Sequence, residues 1–316
     1  DRPTPTVRRA YELWVLPLLN KRLETGTLAQ SSYNGITRAW EKFVCPRWGN
    51  TPIDAIRAVD IQEWILTLNR GNAANSMKCL SHIFKRTATF MPLPMNPFGA
   101  NIKYEMPLAS ATRSKKVYTL AQAKQVLGKL HGTLLEAPFI LACFAGCRSA
   151  ESLAVRTDDI KVVDVDGIHV CAVSVTRQIC NTGNQTTERM KTAQSRRVTF
   201  VLPCAAQRLL QIRDEYVTQG REWLSDRGDG EPASRSINNT RWSAYCKANG
   251  IEYIPWANLR NSWRTICEME LRMPWDLCEL LMGHALPGTS GTHYVRPSIE
   301  QTARTFIESL RINKDI

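Results

Sequence analysis

Several features that define common protein classes are missing from this chain of 316 residues. Its ten cysteines form no Cys-x-x-Cys pair, and the two closest, Cys143 and Cys147, are four residues apart. Neither a zinc site nor a disulfide framework is therefore expected, and a reducing cytosol suits the chain. No apolar run approaches the roughly 18 residues of a membrane span. The chain also lacks a phosphate-binding glycine-rich loop and a carboxylate cluster for two metal ions.

Acidic residues are scarce relative to basic ones. Lys and Arg number 41 against 29 Asp and Glu, which gives a formal net charge of +12. A globular protein this basic usually binds a polyanion, most often nucleic acid, although a basic surface without such a partner is the alternative. The length and a hydrophobic content of 43% are sufficient for two domains with cores of their own. The opening Asp-Arg-Pro-Thr-Pro-Thr resembles no signal peptide or initiator sequence, so we expect a further N-terminal domain to be missing.

Apolar residues recur at helical spacing in the first part of the chain, which predicts a compact all-helical domain over residues 1–98. Helices are expected from Val7 to Leu23, from Ser31-Ser32 to an end formed by Pro46 and Gly49, from Asp60 to Leu68 and from Ala74 to Phe90. On the last of these, one face carries a row of polar side chains: Asn75, Lys78, His82 and Arg86. The row suits a helix lying against DNA, although a solvated polar face is the simpler interpretation of it alone.

A basic linker is predicted over residues 99–117. The stretch from residue 92 to residue 116 contains four prolines and no sustained period, and it ends in three candidate DNA-binding cations: Arg113, Lys115 and Lys116. Two domains joined in this way are able to close around a duplex as a clamp.

The second domain, over residues 118–316, is predicted to be mixed. A capping box at Thr119 and Gln122 opens a helix, and residues 137–145 form a buried one. Alternating residues predict strands over 168–175 and 196–202, paired in a small antiparallel sheet with Lys191 near a hairpin tip. A terminal helix over 298–310 packs either on a neighbouring protomer or in cis.

Candidate chemistry lies in four separate segments of this domain. Arg148 lies on a tight turn in the segment Gly146-Cys147-Arg148-Ser149-Ala150-Glu151, either as a fixed functional group or as a surface arginine paired with Glu151. Lys191 opens the segment that ends at Arg197; it is able to reach a neighbouring groove, or it is simply solvated. The third segment is Asn258-Leu259-Arg260.

The fourth segment is Leu281-Met282-Gly283-His284, followed ten residues later by Tyr294. The intervening residues are turn formers, so the tyrosine is expected to be presented rather than buried. Its phenol becomes a nucleophile only where cations stabilise the anion.

These segments, in this order, resemble the motifs of the tyrosine recombinase (phage integrase) family, and the first hundred residues resemble its helical core-binding domain. The resemblance covers nearly the whole chain. It implies a mainly α fold with a small antiparallel β-sheet: an all-helical core-binding domain and a mixed α/β catalytic domain. Two departures stand out, because Ala257 occupies the usual histidine position of the third motif and the spacing from His284 to Tyr294 is one residue longer than is common.

The resemblance further implies strand cleavage through a 3′-phosphotyrosyl bond without ATP, metal or other cofactor. Tyr294 is the implied nucleophile, Arg148 and Arg260 bind the phosphate, and Lys191 is the general acid. His284 holds a phosphate oxygen or positions the tyrosine, and Glu151 orients Arg148 or His284. The implied partners are double-stranded attachment sites and three further copies of the chain, in a tetramer that forms a Holliday junction. A type IB topoisomerase and a catalytically weakened DNA-binding relative, suggested by Ala257, are the alternatives.

Overall fold

The computed structural model describes residues 4–93, 95–109, 116–180, 185–188, 190, 193–285 and 297–311. The chain divides into two compact units, Asp1–Ser114 and Lys115–Ile316. Each unit has its own hydrophobic core. The described residues are mostly helical with a small antiparallel sheet, which confirms the predicted fold class. None of the helices in the described residues has the length and apolar character that crossing a membrane requires.

The first unit is all-helical, as predicted. Its helices are α1 (Val7–Ala10), α2 (Leu16–Glu24), α3 (Gln30–Ala39), α4 (Cys45–Trp48), α5 (Ala58–Leu66) and α6 (Arg70–Thr87). Single π-helical turns, Tyr11–Val15 and Trp40–Val44, join α1 to α2 and α3 to α4, and Ile53–Ala55 is a 3₁₀-helical turn.

Three helix boundaries in this unit differ from the predictions. The second helix continues past Pro46, because a proline is accepted in the first turn of α4, and it ends at Trp48 with Gly49 as the predicted end residue. Asp60 is not an N-cap; it lies in the first turn of α5, where its Oδ2 accepts a hydrogen bond from the backbone N–H of Arg57 at 3.1 Å. Helix α6 begins at Arg70 because the Asn69 side chain accepts the N–H of Asn72 at 2.9 Å.

Part of the predicted linker packs on the first unit. The side-chain amide of Gln62 bonds both backbone groups of Glu105, at 2.9 and 2.8 Å. The guanidinium of Arg70 donates to the carbonyl of Pro107 at 3.2 Å, and Tyr104 packs against the core. Residues as far as 107 are therefore tied to the helical unit.

The second unit has a small sheet surrounded by helices. Its helices are α7 (Leu120–Lys129), α8 (Glu136–Cys143), α9 (Pro203–Thr218), α10 (Arg235–Ala248), α11 (Leu259–Thr265), α12 (Trp275–Met282) and α13 (Ile299–Arg311). Shorter turns are Thr157–Asp159, Ala193–Ser195 and Trp256–Asn258, which are 3₁₀-helical, and Ile266–Glu270, which is π-helical. The strands are β1 (Ile160–Val165), β2 (Ile168–Val175), β3 (Gln178–Ile179), β4 (Thr186–Thr187) and β5 (Arg197–Phe200).

The strands form two antiparallel sheets, one in the order β1-β2-β5 and one in which β3 pairs with β4. Strand β2 has the predicted bounds, β5 is shorter than predicted, and β1 was not predicted. Thr119 and Gln122 form the predicted capping box of α7, with contacts of 3.2 and 2.9 Å. Every residue of α8 is buried: seven are apolar, and Glu136 pairs with Arg208.

The terminal helix α13 packs in cis. Its buried residues include Ala303 and Phe306, and the Phe306 ring lies 5.3 Å from that of Phe200 on β5. An ion pair between Arg304 and Asp166 joins the helix to the β1–β2 turn at 2.6 Å. Of the two alternatives for this helix, the structure has packing in cis.

Candidate active site

A tight turn after α8 positions Arg148. Gly146 has a φ of +66°, and a Cβ atom there would lie 2.8 Å from the Trp263 ring on α11. Glycine therefore permits both the left-handed backbone and the close approach of α11. No helix follows at Ser149: residues 149–153 form turns, and the backbone N–H of Arg148 donates to Oε2 of Glu151 at 2.8 Å.

The Glu151 carboxylate is the centre of an arginine cluster. Its side chain is 1% exposed, Oε1 accepts Nη1 of Arg148 at 2.6 Å, and Oε2 accepts Nη2 of Arg197 at 3.0 Å. Nη1 of Arg260 lies 3.7 Å from Oε2, too far for a hydrogen bond. Burial alone would raise the pKa of Glu151, but the charges and hydrogen bonds of Arg197 and Arg148 hold that pKa below its usual value. Glu151 is therefore ionised at neutral pH.

Arg260 lies in the first turn of α11, with its side chain 9% exposed. Nη2 donates to the carbonyl of Met282 at 2.7 Å, whereas Nη1 is buried and has no hydrogen-bond partner among the described residues. Burial, followed by repulsion from Arg197 and Arg148, lowers the pKa of Arg260 to about 9, so it stays charged at neutral pH. A buried guanidinium with an unused donor is suited to an incoming anion.

His284 follows directly on the end of α12. Gly283 ends that helix in the left-handed conformation, with a φ of +69° and a ψ of +43°, and the N–H of His284 bonds back to the carbonyl of Glu279 at 3.0 Å. Nε2 of His284 lies 3.0 Å from Nη2 of Arg260, and Nδ1 lies 2.8 Å from Oε2 of Glu279.

These two contacts define the tautomer of His284. A guanidinium only donates, so Nε2 must accept, and the ring proton lies on Nδ1, where Glu279 accepts it. Burial lowers the pKa of His284 and repulsion from Arg260 adds to that, while Glu279 acts in the opposite direction. The imidazole is therefore neutral at neutral pH. Nη2 of Arg264 forms an ion pair with the other oxygen of Glu279 at 2.9 Å, without hydrogen-bond geometry.

Sequence reasoning missed Arg197 and Glu279 as members of the site. Arg197 stands at the start of β5, and its side chain is 6% exposed. Glu279 is a buried acid next to apolar residues of α12, five residues before His284. A charge within that apolar stretch was a usable signal, since a buried carboxylate needs a partner.

Within the described residues, three arginines surround one carboxylate, and His284 is neutral. The cluster of Arg148, Arg197, Arg260 and Glu151 therefore carries a net charge of +2 in a largely buried position. A phosphodiester, with its single negative charge, offsets part of that charge where Arg148 and Arg260 are accessible.

The structure brings four of the predicted site residues together: Arg148, Glu151, Arg260 and His284. Ala257 is exposed on the turn Trp256–Asn258, just before α11. Lys191 and Tyr294 lie outside the described residues.

The residues predicted to bind DNA lie on one face of α6, and α3 lies opposite that face. Asn75, Lys78 and His82 line a groove together with Lys85 of α6 and Ser32 of α3. Burial lowers the pKa of His82, and so do Arg22, Lys85 and Arg86, which makes this a cationic surface with a neutral imidazole.

The remaining predicted cations differ in their surroundings. The guanidinium of Arg86 stacks 4.9 Å over the Phe90 ring, and Lys116 is exposed and pairs with Glu252 at 2.5 Å. Arg113 and Lys115 lie outside the described residues.

Comparison with known proteins gives a consistent result. No family model matches the chain. A curated integrase from Streptomyces ambofaciens is 25% identical over 299 residues, which cover 87% of this chain and 74% of that protein. The Tn1549 transposon integrase, solved with transposon right end DNA, matches with a TM-score of 0.67 at 19% identity, covering 97% of this chain and 100% of the other. A lambda integrase tetramer bound to a Holliday junction matches with a TM-score of 0.60 at 15% identity, covering 94% and 79%.

The chain has the fold of the tyrosine recombinases, and its sequence is similar to that of an integrase. Both similarities agree with the resemblance of the four motifs. The arginine cluster is suited to binding a phosphate group.

Proposed function

We propose that this protein is a site-specific tyrosine recombinase that integrates and excises a phage or other mobile element, with the cluster around Glu151 as the pocket for the scissile phosphate. The observation that carries the assignment is the buried Nη1 of Arg260, which has no hydrogen-bond partner among the described residues, beside the partly open guanidinium of Arg148. Both arginines point to a common carboxylate, so a phosphate placed between them is able to accept a hydrogen bond from each.

In this pocket the reaction is a transesterification. The oxygen of Tyr294 attacks phosphorus and loses its proton to solvent, a phenolic O–P bond forms, and the bond from phosphorus to the 5′ oxygen breaks. Lys191 gives a proton to the departing 5′ oxygen. Arg148 and Arg260 stabilise the charge on the non-bridging oxygens, and His284, held by Glu279, keeps an oriented ring beside them. A 5′-hydroxyl from a second duplex reverses the step and joins the exchanged strand.

The alternative functions receive less support. A type IB topoisomerase uses the same bond chemistry, but the curated relative and the two solved structures compared above are integrases. A non-catalytic relative is suggested only by Ala257, whereas Arg148, Glu151, Arg260 and His284 retain a connected polar network.

Partners follow from the same assignment. We infer that duplex attachment sites bind the groove of the first unit, with Lys78 and Lys85 near phosphates and Asn75 and His82 near base edges. A tetramer on a Holliday junction is proposed from the lambda integrase complex. In this single chain the apolar face of α13 is covered in cis. The host cytoplasm, where DNA is available, is the proposed location.

A nicked suicide substrate tests the proposal. With the intact chain we expect a covalent protein–DNA adduct, and with Tyr294→Phe none, because the phenolic oxygen forms the bond. No adduct with the intact chain, or an equal amount with Tyr294→Phe, contradicts the assignment. Paired attachment sites that never exchange, together with relaxation of supercoils, would instead identify a topoisomerase.

A further inference from the structure

We propose that Arg197 is a positioning residue of the phosphate pocket, which ties the carboxylate of Glu151 to the last turn of α12 without binding phosphate itself. In doing so it holds the two phosphate-binding arginines, Arg148 and Arg260, around one site. The inference rests on the proposed function and adds to it a residue to which the four motifs give no role in the chemistry.

Each nitrogen of the Arg197 guanidinium donates to a group of the protein. Nε donates to the carbonyl of Leu281 at 2.6 Å and Nη2 to Oε2 of Glu151 at 3.0 Å. Nη1 donates to the carbonyl of Ser195, two residues earlier, at 3.1 Å. The side chain is 6% exposed, and it differs from that of Arg260, whose Nη1 has no partner among the described residues. Arg197 is therefore committed to the protein, while Arg260 keeps a donor for phosphate.

The C-terminal end of α12 presents three successive carbonyls, and each accepts a hydrogen bond from one arginine. The pairs are Leu281 with Arg197 at 2.6 Å, Met282 with Arg260 at 2.7 Å and Gly283 with Arg148 at 3.4 Å. Carbonyls at the end of a helix have no partner within it and carry the negative end of its dipole, so cations are stabilised there. This helix end therefore holds the three guanidinium groups side by side.

Arg197 makes the shortest connection between Glu151 and that helix end. Arg148 also joins the two, but its contact with the helix end is the long one of 3.4 Å, and Nη1 of Arg260 lies 3.7 Å from the carboxylate, beyond hydrogen-bonding distance. The two acceptors of Arg197 lie 46 and 84 residues away from it in the sequence. A planar fork with several donors is able to bond acceptors from separate segments at once, whereas a single ammonium is a point charge.

Gly283 gives Arg197 the space that this connection needs. A Cβ atom at Gly283 would lie 2.8 Å from Cδ and 3.2 Å from Nη1 of Arg197. The arginine is thus in direct contact with the turn that ends α12, along its stem as well as through its hydrogen bonds. A change at Arg197 is therefore transmitted to the carbonyls that hold the other two arginines.

The charge of Glu151 also depends on Arg197. Four charged or titratable groups face the carboxylate from its own turn, from β5 and from α11: Arg148, Arg197, Arg260 and the thiol of Cys147. Burial raises the pKa of the Cys147 thiol to about 12, so that group is neutral. Burial also raises the pKa of Glu151, and the charge of Arg197 is the strongest influence in the opposite direction. Loss of Arg197 therefore raises this pKa, and a protonated Glu151 no longer pairs with Arg148.

Single-turnover cleavage of the nicked substrate at about pH 5.5 and about pH 8 tests the inference, because a rate that depends on an ionised group follows its pKa. We expect Arg197→Gln to be about 10- to 100-fold slower than the unmodified chain at the higher pH, the scale on which an orienting partner acts, with DNA affinity unchanged. The difference should grow several-fold in acid, because an opposite charge lowers a carboxyl pKa by about 1–3 units and its loss restores the proton.

Arg197→Lys separates the two effects of the arginine. The ammonium keeps the charge beside Glu151 but not the three contacts. We expect this variant to be slower than the unmodified chain by the same factor at both pH values. If thermal unfolding shows that Arg197→Gln does not fold, Arg197→Lys carries the test, and slow cleavage with normal DNA affinity is the result expected.

A matched control loses a comparable ion pair elsewhere in the second unit. Arg208 makes a bidentate pair with the buried Glu136, at 2.7 and 3.0 Å. We expect Arg208→Gln to cleave at the rate of the unmodified chain at both pH values. The control thus measures what simple destabilisation does to cleavage.

Several results overturn the inference. Normal cleavage by Arg197→Gln, or full cleavage by Arg197→Lys, would show that the three contacts are not needed. A deficit of Arg197→Gln that is equal at both pH values would show that Arg197 does not act through Glu151. A parallel loss of DNA affinity would make Arg197 a phosphate contact. Failure of the proposed function looks different: the unmodified chain then forms no adduct, and the inference falls with it.

Discussion

The imidazole of His284 and the carboxylate of Glu279 form a hydrogen bond of 2.8 Å between Nδ1 and Oε2. Because Glu279 can only accept, it fixes the proton on Nδ1 and leaves Nε2 as an acceptor beside Arg260.

Glu279→Gln should slow cleavage by about 10- to 100-fold, the usual effect of losing such a partner, with DNA binding unchanged. The amide of glutamine can donate to Nδ1, and the ring proton would then move to Nε2 and face the donor of Arg260. Glu268→Gln is the control, since Glu268 also pairs with Arg264 but does not touch His284. A normal cleavage rate for Glu279→Gln would show that the tautomer does not matter.

Substitutions in the first unit should affect DNA binding, and substitutions in the second unit should affect cleavage. Arg148→Ala and Arg260→Ala are each expected to retain DNA binding and to lose cleavage by about 100- to 1000-fold, the cost of one preorganised donor. Lys78→Ala should do the reverse: weaker binding with a shallower dependence on salt, because fewer counterions are released. Filter binding at several salt concentrations and single-turnover cleavage measure both. A parallel loss of binding in the arginine variants would make those residues ordinary phosphate contacts.

Ala257→His should speed cleavage about tenfold or more if this exposed position faces the phosphate, because a positioned imidazole can take part in proton transfer. Ala257→Gln is the matched control, since its amide can hydrogen-bond but does not carry a proton between groups. Equal rates for the histidine variant and the unmodified chain would indicate that another group already performs that role.

Glu151→Gln should lower the free energy of unfolding at pH 7 by about 3–5 kcal/mol, the cost of breaking a buried ion pair. The pKa of Glu151 is depressed in the folded state, so the carboxylate stabilises the fold above its ordinary value of 4.5 and loses that effect as the pH falls through the folded-state pKa. Denaturant unfolding should therefore show the two proteins converging in acid. Glu188→Gln, at an exposed ion pair, should change little at any pH. A difference that does not depend on pH would contradict this account.

Gly283→Ala should destabilise the chain and remove cleavage. The left-handed backbone alone costs about 1–2 kcal/mol for an alanine, and its Cβ would also collide with the Gln194 carbonyl and the Arg197 stem. Gly220→Ala has the same left-handed strain, at a φ of +68°, with no atom within 4 Å of the new Cβ. We expect thermal unfolding to shift in both variants but the adduct to disappear only in Gly283→Ala. An active Gly283→Ala protein would mean that the contact between this turn and Arg197 is dispensable.

Local sequence determined the residue types of the site and much of the secondary structure. The capping box at Thr119, the buried apolar helix α8, the alternation of β2 and the glycine that ends α12 all depend on neighbours in the chain, so their patterns can be read directly. The order of the four motifs was sufficient to recognise the family and to select Arg148, Glu151, Arg260 and His284.

Tertiary structure alone decided how those residues are used. Whether Arg148 is a surface side chain or part of a cluster depends on Arg197 and Arg260, which are 49 and 112 residues away in the sequence. No local pattern encodes such a distance. The tautomer of His284, the triple contact of Arg197 and the packing of α13 in cis likewise arise from burial and from charges that meet only in the fold. Electrostatic interactions depend on distances in space. The order of residues in the chain therefore identifies the charged residues of the site but not which of them pair with one another.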